Sequence, residues 1–176
     1  MDLEKLKYPT GKLKYEKPTA DLLKQGITDI ENFPKKIKTI INGLSAEQLN
    51  WPYRPKGWAI KQVVHHCADS HMNAIIRFKL ALTENKPTIK PYEEALWANL
   101  PDMANDLSDS IILLEGIHNR WTTLLKSLTQ QELERTYVHP EYNKTFDLAT
   151  TVGMYAWHCN HHYAHIKQAL DHKGKF

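Results

Sequence analysis

Apolar residues recur every three or four positions along four stretches of the chain, the spacing of helices that each bury one stripe. The first stretch runs from Asp21 through Leu22, Leu23, Ile27, Ile30 and Phe33. There Pro34 is expected to start or kink a second segment, Lys35 to Leu44, with Ile37, Ile40 and Ile41 inward. A long helix is predicted from Ala59 to Thr83, its stripe made of Ile60, Val63, Val64, Cys67, His71, Ala74, Ile75 and Phe78. The next spans Ser108 to Leu128, with Ile111, Leu114, Ile117, Trp121, Leu124, Leu125 and Leu128 inward. The last spans Leu148 to Leu170, where Leu148, Val152, Tyr155, Cys159, Tyr163, Ile166 and Leu170 share a face. No strand alternation of any length intervenes, so the expected fold is an all-α four-helix bundle in a single domain, residues 1–176.

The connections carry their own signals. Pro9, Gly11 and Pro18, set among lysines and tyrosines, predict an extended N-terminal arm that Tyr8 and Tyr15 could anchor. Ser45–Leu49 and Thr129–Leu133 each read as a capping box opening a short helix. Each box follows a helix and precedes an aromatic, Pro-containing loop and then a histidine-bearing helix, a faint internal repeat whose halves would both give ligands to one cleft. Residues 85–107, with Pro87, Pro91 and Pro101, predict a long connection holding one short helix at Glu93 to Ala98. Tyr137–Thr145 reads as an irregular loop.

Composition narrows the function. A net charge of +3, from 23 basic and 20 acidic residues, is too small an excess to mark a nucleic-acid binder. Cys67 and Cys159 lie on helical apolar stripes, as reduced core thiols of a cytoplasmic protein would. The opening residues Met1–Lys5 show no charged-then-apolar leader, and no apolar run approaches the roughly 18 residues of a membrane span. Neither secretion nor membrane insertion is expected.

The chemistry concentrates near the C-terminus. Tyr155–His165 holds four of the ten histidines. On a helix His158 stacks below His162 and His161 below His165, two pairs at the i, i+4 spacing that lets imidazoles share one divalent ion. At about 100° per residue, His162 lies roughly 60° and His158 roughly 100° from the middle of the buried stripe, while His165 and especially His161 lie further round. His158 with His162 is therefore the pair nearest the core. On the second long helix a polar stripe, Gln62, His66, Asp69, Ser70, Asn73 and Arg77, borders the buried face, and His66 is the natural third ligand. His65 points the other way and reads as surface or packing. Three imidazoles leave a coordination position open, as a catalytic site requires. Asp69, one turn from His66, is a candidate to orient an imidazole or act as a base; Trp58 and Trp157 are candidates to line a pocket. No GxSxG, P-loop, GxGxxG or HExxH occurs, and with only seven glycines a phosphate-cradling loop is not expected.

These residues resemble the DinB/YfiT-like superfamily of metal-binding four-helix bundles, most of all its YfiT branch of metal-dependent hydrolases. The likeness runs from about Tyr8 to His172. It is carried by Tyr8–Gly11, Pro52–Arg54, Gly57–Trp58, Gln62–His66, Ala68–Asn73, Arg77–Leu80, His118–Trp121 and Trp157–Ile166. The resemblance places the family's metal histidines on His66, His158 and His162. It implies a cytoplasmic homodimer holding one divalent ion per subunit, Zn²⁺ first and Ni²⁺ as the alternative. A small-molecule substrate is expected, and, from charge and hydropathy, neither a nucleic-acid nor a membrane partner. Three functions follow as expectations: a hydrolase using metal-bound water, an S-transferase acting on a low-molecular-weight thiol such as bacillithiol, or a non-enzymatic metal- or ligand-binding stress protein. In the second, Arg54 or Arg77 would hold the thiol's carboxylates.

Overall fold

A computed structural model describes residues 2–176. Four long helices form the bundle: α2 (Ala20–Ile41), α4 (Ile60–Thr83), α6 (Ser108–Ser127) and α8 (Leu148–Asp171). Helix α2 packs on α6 and α8, and α4 packs on the same two, so the order around the bundle is α2, α6, α4, α8. Short helices α1 (Leu3–Lys7), α3 (Ala46–Leu49), α5 (Glu94–Trp97) and α7 (Gln130–Leu133) and a 3₁₀ turn at Pro101–Ala104 occupy the connections. Ile30, Phe33, Ile37, Ile60, Val63, Val64, Phe78, Leu114, Trp121, Leu148, Val152 and Ile166 fill the interior, and the stripes read from periodicity supply them. Among the described residues no helix is long and apolar enough to cross a membrane.

Both capping boxes form. Ser45 Oγ accepts from the Gln48 amide at 3.2 Å while Gln48 Oε1 accepts from the Ser45 amide at 2.8 Å; Thr129 and Glu132 repeat the exchange at 3.2 and 2.7 Å. The faint repeat has a structural counterpart, because each box leads into a paired turn and then a histidine-bearing helix. After α3 the turn is closed by an antiparallel bridge between Pro52 and Ala59.

Three expectations are corrected. Pro34 neither starts nor breaks a helix: α2 runs through it from Ala20 to Ile41. Proline has no N–H to give the carbonyl four residues back, so Ile30 loses its ordinary helical partner. The His118 ring takes its place, with Nδ1 2.6 Å from the Ile30 oxygen. The arm is not wholly extended, since Asp2 caps a single turn at Leu3–Lys7 and Leu6 is buried beneath it. The Tyr137–Thr145 loop is a hairpin, β1 (Thr136–His139) against β2 (Lys144–Asp147), in register Tyr137↔Phe146 and His139↔Lys144. Tyr137, His139 and Phe146 point inward. Four-residue strands place too few residues inward for alternation to register in the sequence. The hairpin also launches the histidine helix: Asp147, the last residue of β2, accepts the Thr150 amide at 2.7 Å and caps α8.

Candidate metal centre

Helices α4 and α8 lie side by side and bring His66, His158 and His162 together, with one ring nitrogen from each within 4.8 Å of the others. The ring centroids of the three pairs are 4.4 to 5.3 Å apart. His66 Nε2 lies 3.2 Å from His158 Nε2, and Ser70 Oγ lies 3.5 Å from the latter. Trp58 packs its ring 4.9 Å from that of His66.

Burial holds the trio neutral. It pushes His66 down to about 4 and His158 and His162 well below the ordinary imidazole range, and the neighbouring histidines add to the effect. A divalent cation fits this set. The donors are neutral nitrogen lone pairs with no carboxylate among them, and Nδ1 of His162 is buried without any hydrogen-bond partner.

The second pair on α8 does something else. His165 Nε2 donates to the Lys7 carbonyl at 3.1 Å, and the Thr10 hydroxyl lies 3.5 Å from His161 Nδ1. Trp157 Nε1 donates to the Gly11 carbonyl at 3.0 Å, and Gln168 reaches the Leu6 carbonyl at 3.0 Å. Tyr53 stacks on His165 and Trp157 on His161, at centroid distances of 3.8 and 4.2 Å. These residues strap the arm to α8, and the arm buries both histidines although they lie away from the apolar stripe. The anchoring expected of the arm's tyrosines is met, with Tyr8 6.1 Å from the His161 ring and Tyr15 5.6 Å from Phe146.

The arm thereby becomes one wall of a cleft of about 730 Å³ that reaches all three converging histidines. Trp58 and Trp157 line it, as do Arg54 and Arg77. Arg77 Nη1 donates to the Tyr155 hydroxyl at 3.2 Å, and the Nε–H groups of both arginines are buried without a partner. Asp69 stands apart. It does not line the cleft, and burial next to Asp102 raises its carboxyl to about 6 on the side facing the 3₁₀ turn. His65 is packing, with Nδ1 2.7 Å from Ser110 Oγ. The cysteines are free and buried, and burial drives both thiols far above their ordinary range, away from reactivity.

Sequence reasoning missed two residues. His71 on α4 and His118 on α6 are fully buried behind His158, with His71 Nε2 3.0 Å from His158 Nδ1. The available signal was a histidine in the middle of the apolar stripe of α4.

The sequence profile of the DinB superfamily matches residues 30–166, which hold all three converging histidines. The chain belongs to the DinB superfamily. A protein named "Putative metal-dependent hydrolase" from Bacillus cereus (strain 03BB102) is 49% identical over 162 residues, covering 92% of this chain and 93% of that one. A Bacillus anthracis (strain A0248) protein of the same name matches at the same identity and coverage. Among solved structures, YfiT from Bacillus subtilis, described as "a probable metal-dependent hydrolase with an unusual four-helix bundle topology", superposes with a TM-score of 0.92. It is 42% identical, over 97% of this chain and 98% of that one. This member of the superfamily thus has close relatives named for metal-dependent hydrolysis, and its own histidine trio is placed to hold a metal.

Proposed function

We propose that the protein is a metal-dependent hydrolase of small molecules in which His66, His158 and His162 hold one divalent ion, Zn²⁺ first. The observation that carries this reading is the meeting of three neutral imidazoles from two helices at the wall of an open cleft. An ion held there supplies a Lewis acid and a water acidified toward neutrality. The chain supplies the rest. Trp58 and Trp157 give the cleft apolar walls, the arm limits access of bulk water, and Ser70, 3.5 Å from the His158 Nε2, offers a hydroxyl beside the trio. Asp69 lies outside the cleft, and the titratable groups that line it besides the trio and the arm-binding histidines include Glu94, His139 and Glu141. Desolvation raises the Glu94 carboxyl above its ordinary value.

The test is a panel of small esters, amides and lactones offered to metal-stripped protein reloaded with Zn²⁺ or Ni²⁺. Turnover that needs the ion and disappears in His162→Ala supports the hydrolase. Metal binding without turnover on any substrate supports a binding protein instead.

A second reading, thiol S-transfer, is favoured by the two unpaired Nε–H groups of Arg54 and Arg77, which suit an anionic co-substrate. Monochlorobimane with and without bacillithiol separates the two readings. Acceleration only with the thiol, weakened in Arg77→Gln through KM, supports transfer.

A further inference from the structure

Only one ring edge of His158 faces His66; the other faces the bundle interior, and what it meets there fixes where its proton sits. The line begins at the Ile30 carbonyl, which Pro34 leaves without a helical donor. His118 Nδ1 lies 2.6 Å from that oxygen, and a carbonyl can only accept, so Nδ1 of His118 carries a proton. His118 and His71 are 1% and 0% exposed, and each makes its hydrogen bonds only to a carbonyl or another imidazole. A charge there would lose its hydration with no counter-charge to offset it, so both rings are neutral.

A neutral ring with its proton on Nδ1 has a lone pair on Nε2. His118 Nε2 lies 2.8 Å from His71 Nδ1, so His71 must be the donor there. Its Nε2 is then a lone pair as well, 3.0 Å from His158 Nδ1, which must in turn carry the proton. Each ring has one consistent choice. His158 is left with a bare Nε2 on the side of His66. Phe33 packs against both inner rings, with centroids 5.2 Å from His71 and 5.6 Å from His118, and the Trp121 ring lies 5.9 and 5.7 Å from the same two.

We propose that His118 and His71 are positioning residues, whose hydrogen bonds from the Ile30 carbonyl lock His158 in the Nδ1–H form and hold its Nε2 ready for the ion. The proposal rests on the metal reading of the trio, but its first consequence does not need the metal. In ¹⁵N-labelled, metal-free protein at neutral pH, two-bond ¹H–¹⁵N spectra are expected to show His71, His118 and His158 each protonated at Nδ1. A His158 protonated at Nε2 overturns the proposal, whatever the protein binds.

The second consequence is read in Zn²⁺ affinity by chelator competition. His118→Phe fills the same space and cuts the line, and is expected to weaken Zn²⁺ roughly 10–100-fold, the usual effect of removing a group that orients a ligand. His118→Gln can still donate to Ile30 and accept from His71, and is expected to recover most of that loss. A folded His118→Phe with unchanged affinity, or a Gln variant no better than Phe, overturns the positioning role. Should His118→Phe fail to fold, the tautomers of the wild-type protein and the affinity of His118→Gln decide. Wild-type protein that binds no Zn²⁺ overturns the metal reading itself and the positioning role with it, while leaving the tautomer result standing, so the two failures are told apart.

Discussion

Helix α8 carries two histidine pairs of the same spacing, and the bundle uses them in opposite ways. His158 and His162 face another helix that offers a third imidazole; the Ser70 hydroxyl lies 3.5 Å from His158 Nε2, and His162 Nδ1 has no hydrogen-bond partner. His161 and His165 face an arm that offers the Lys7 carbonyl, the Thr10 hydroxyl and the ring of Tyr8. Spacing alone makes a chelating pair available; what packs opposite decides whether it chelates or binds backbone. Backbone is a satisfied partner for an imidazole N–H, whereas an imidazole facing imidazoles is left with lone pairs that a cation satisfies.

The largest effect should come from breaking the converging pair. His162→Ala is expected to lose stoichiometric metal, measured by elemental analysis of protein purified without a nickel column. His165→Ala should keep one metal per chain.

Acid should separate the two regions next. Burial holds His118 down to about 4 against an ordinary 6.5, so the unfolded chain takes up a proton that the native one refuses. Stability is therefore full above pH 6.5 and falls as pH drops toward 4, by about 3 kcal/mol for this residue in metal-free protein. His161, at about 4, and His165, at about 3, are depressed as well, but they can be protonated by undocking the arm alone. Local opening costs less than global unfolding. Limited proteolysis across the acid range is expected to cut the arm before circular dichroism reports loss of the bundle; simultaneous loss would contradict it.

Smaller still is the arm's own strap. His165→Ala removes one hydrogen bond to Lys7 and the stack on Tyr53, and is expected to lower stability by about 1–2 kcal/mol in thermal denaturation.

The converging trio was legible because periodicity fixes both the spacing of His158 and His162 and their angle to the buried stripe, and places His66 at the edge of its own. The fold was legible for the same reason. The line of His118 and His71 was not, because a lone histidine among apolar residues looks the same whether it fills space or directs another ring. Its meaning comes from Pro34, on the neighbouring helix α2, freeing a carbonyl that His118 then claims. The hairpin was too short to show alternation, and the Leu3–Lys7 turn too short to show periodicity. Asp69 shares the polar stripe with His66, but it turns toward Asp102 in a connection whose path no helical projection gives.

The most direct test of the account is an anomalous-scattering map of crystals grown from protein never exposed to a nickel column. A single strong peak about 2.1 Å from a ring nitrogen of each of His66, His158 and His162 is expected. A peak at His161 and His165 instead, or none at the trio in protein soaked with Zn²⁺, would contradict it.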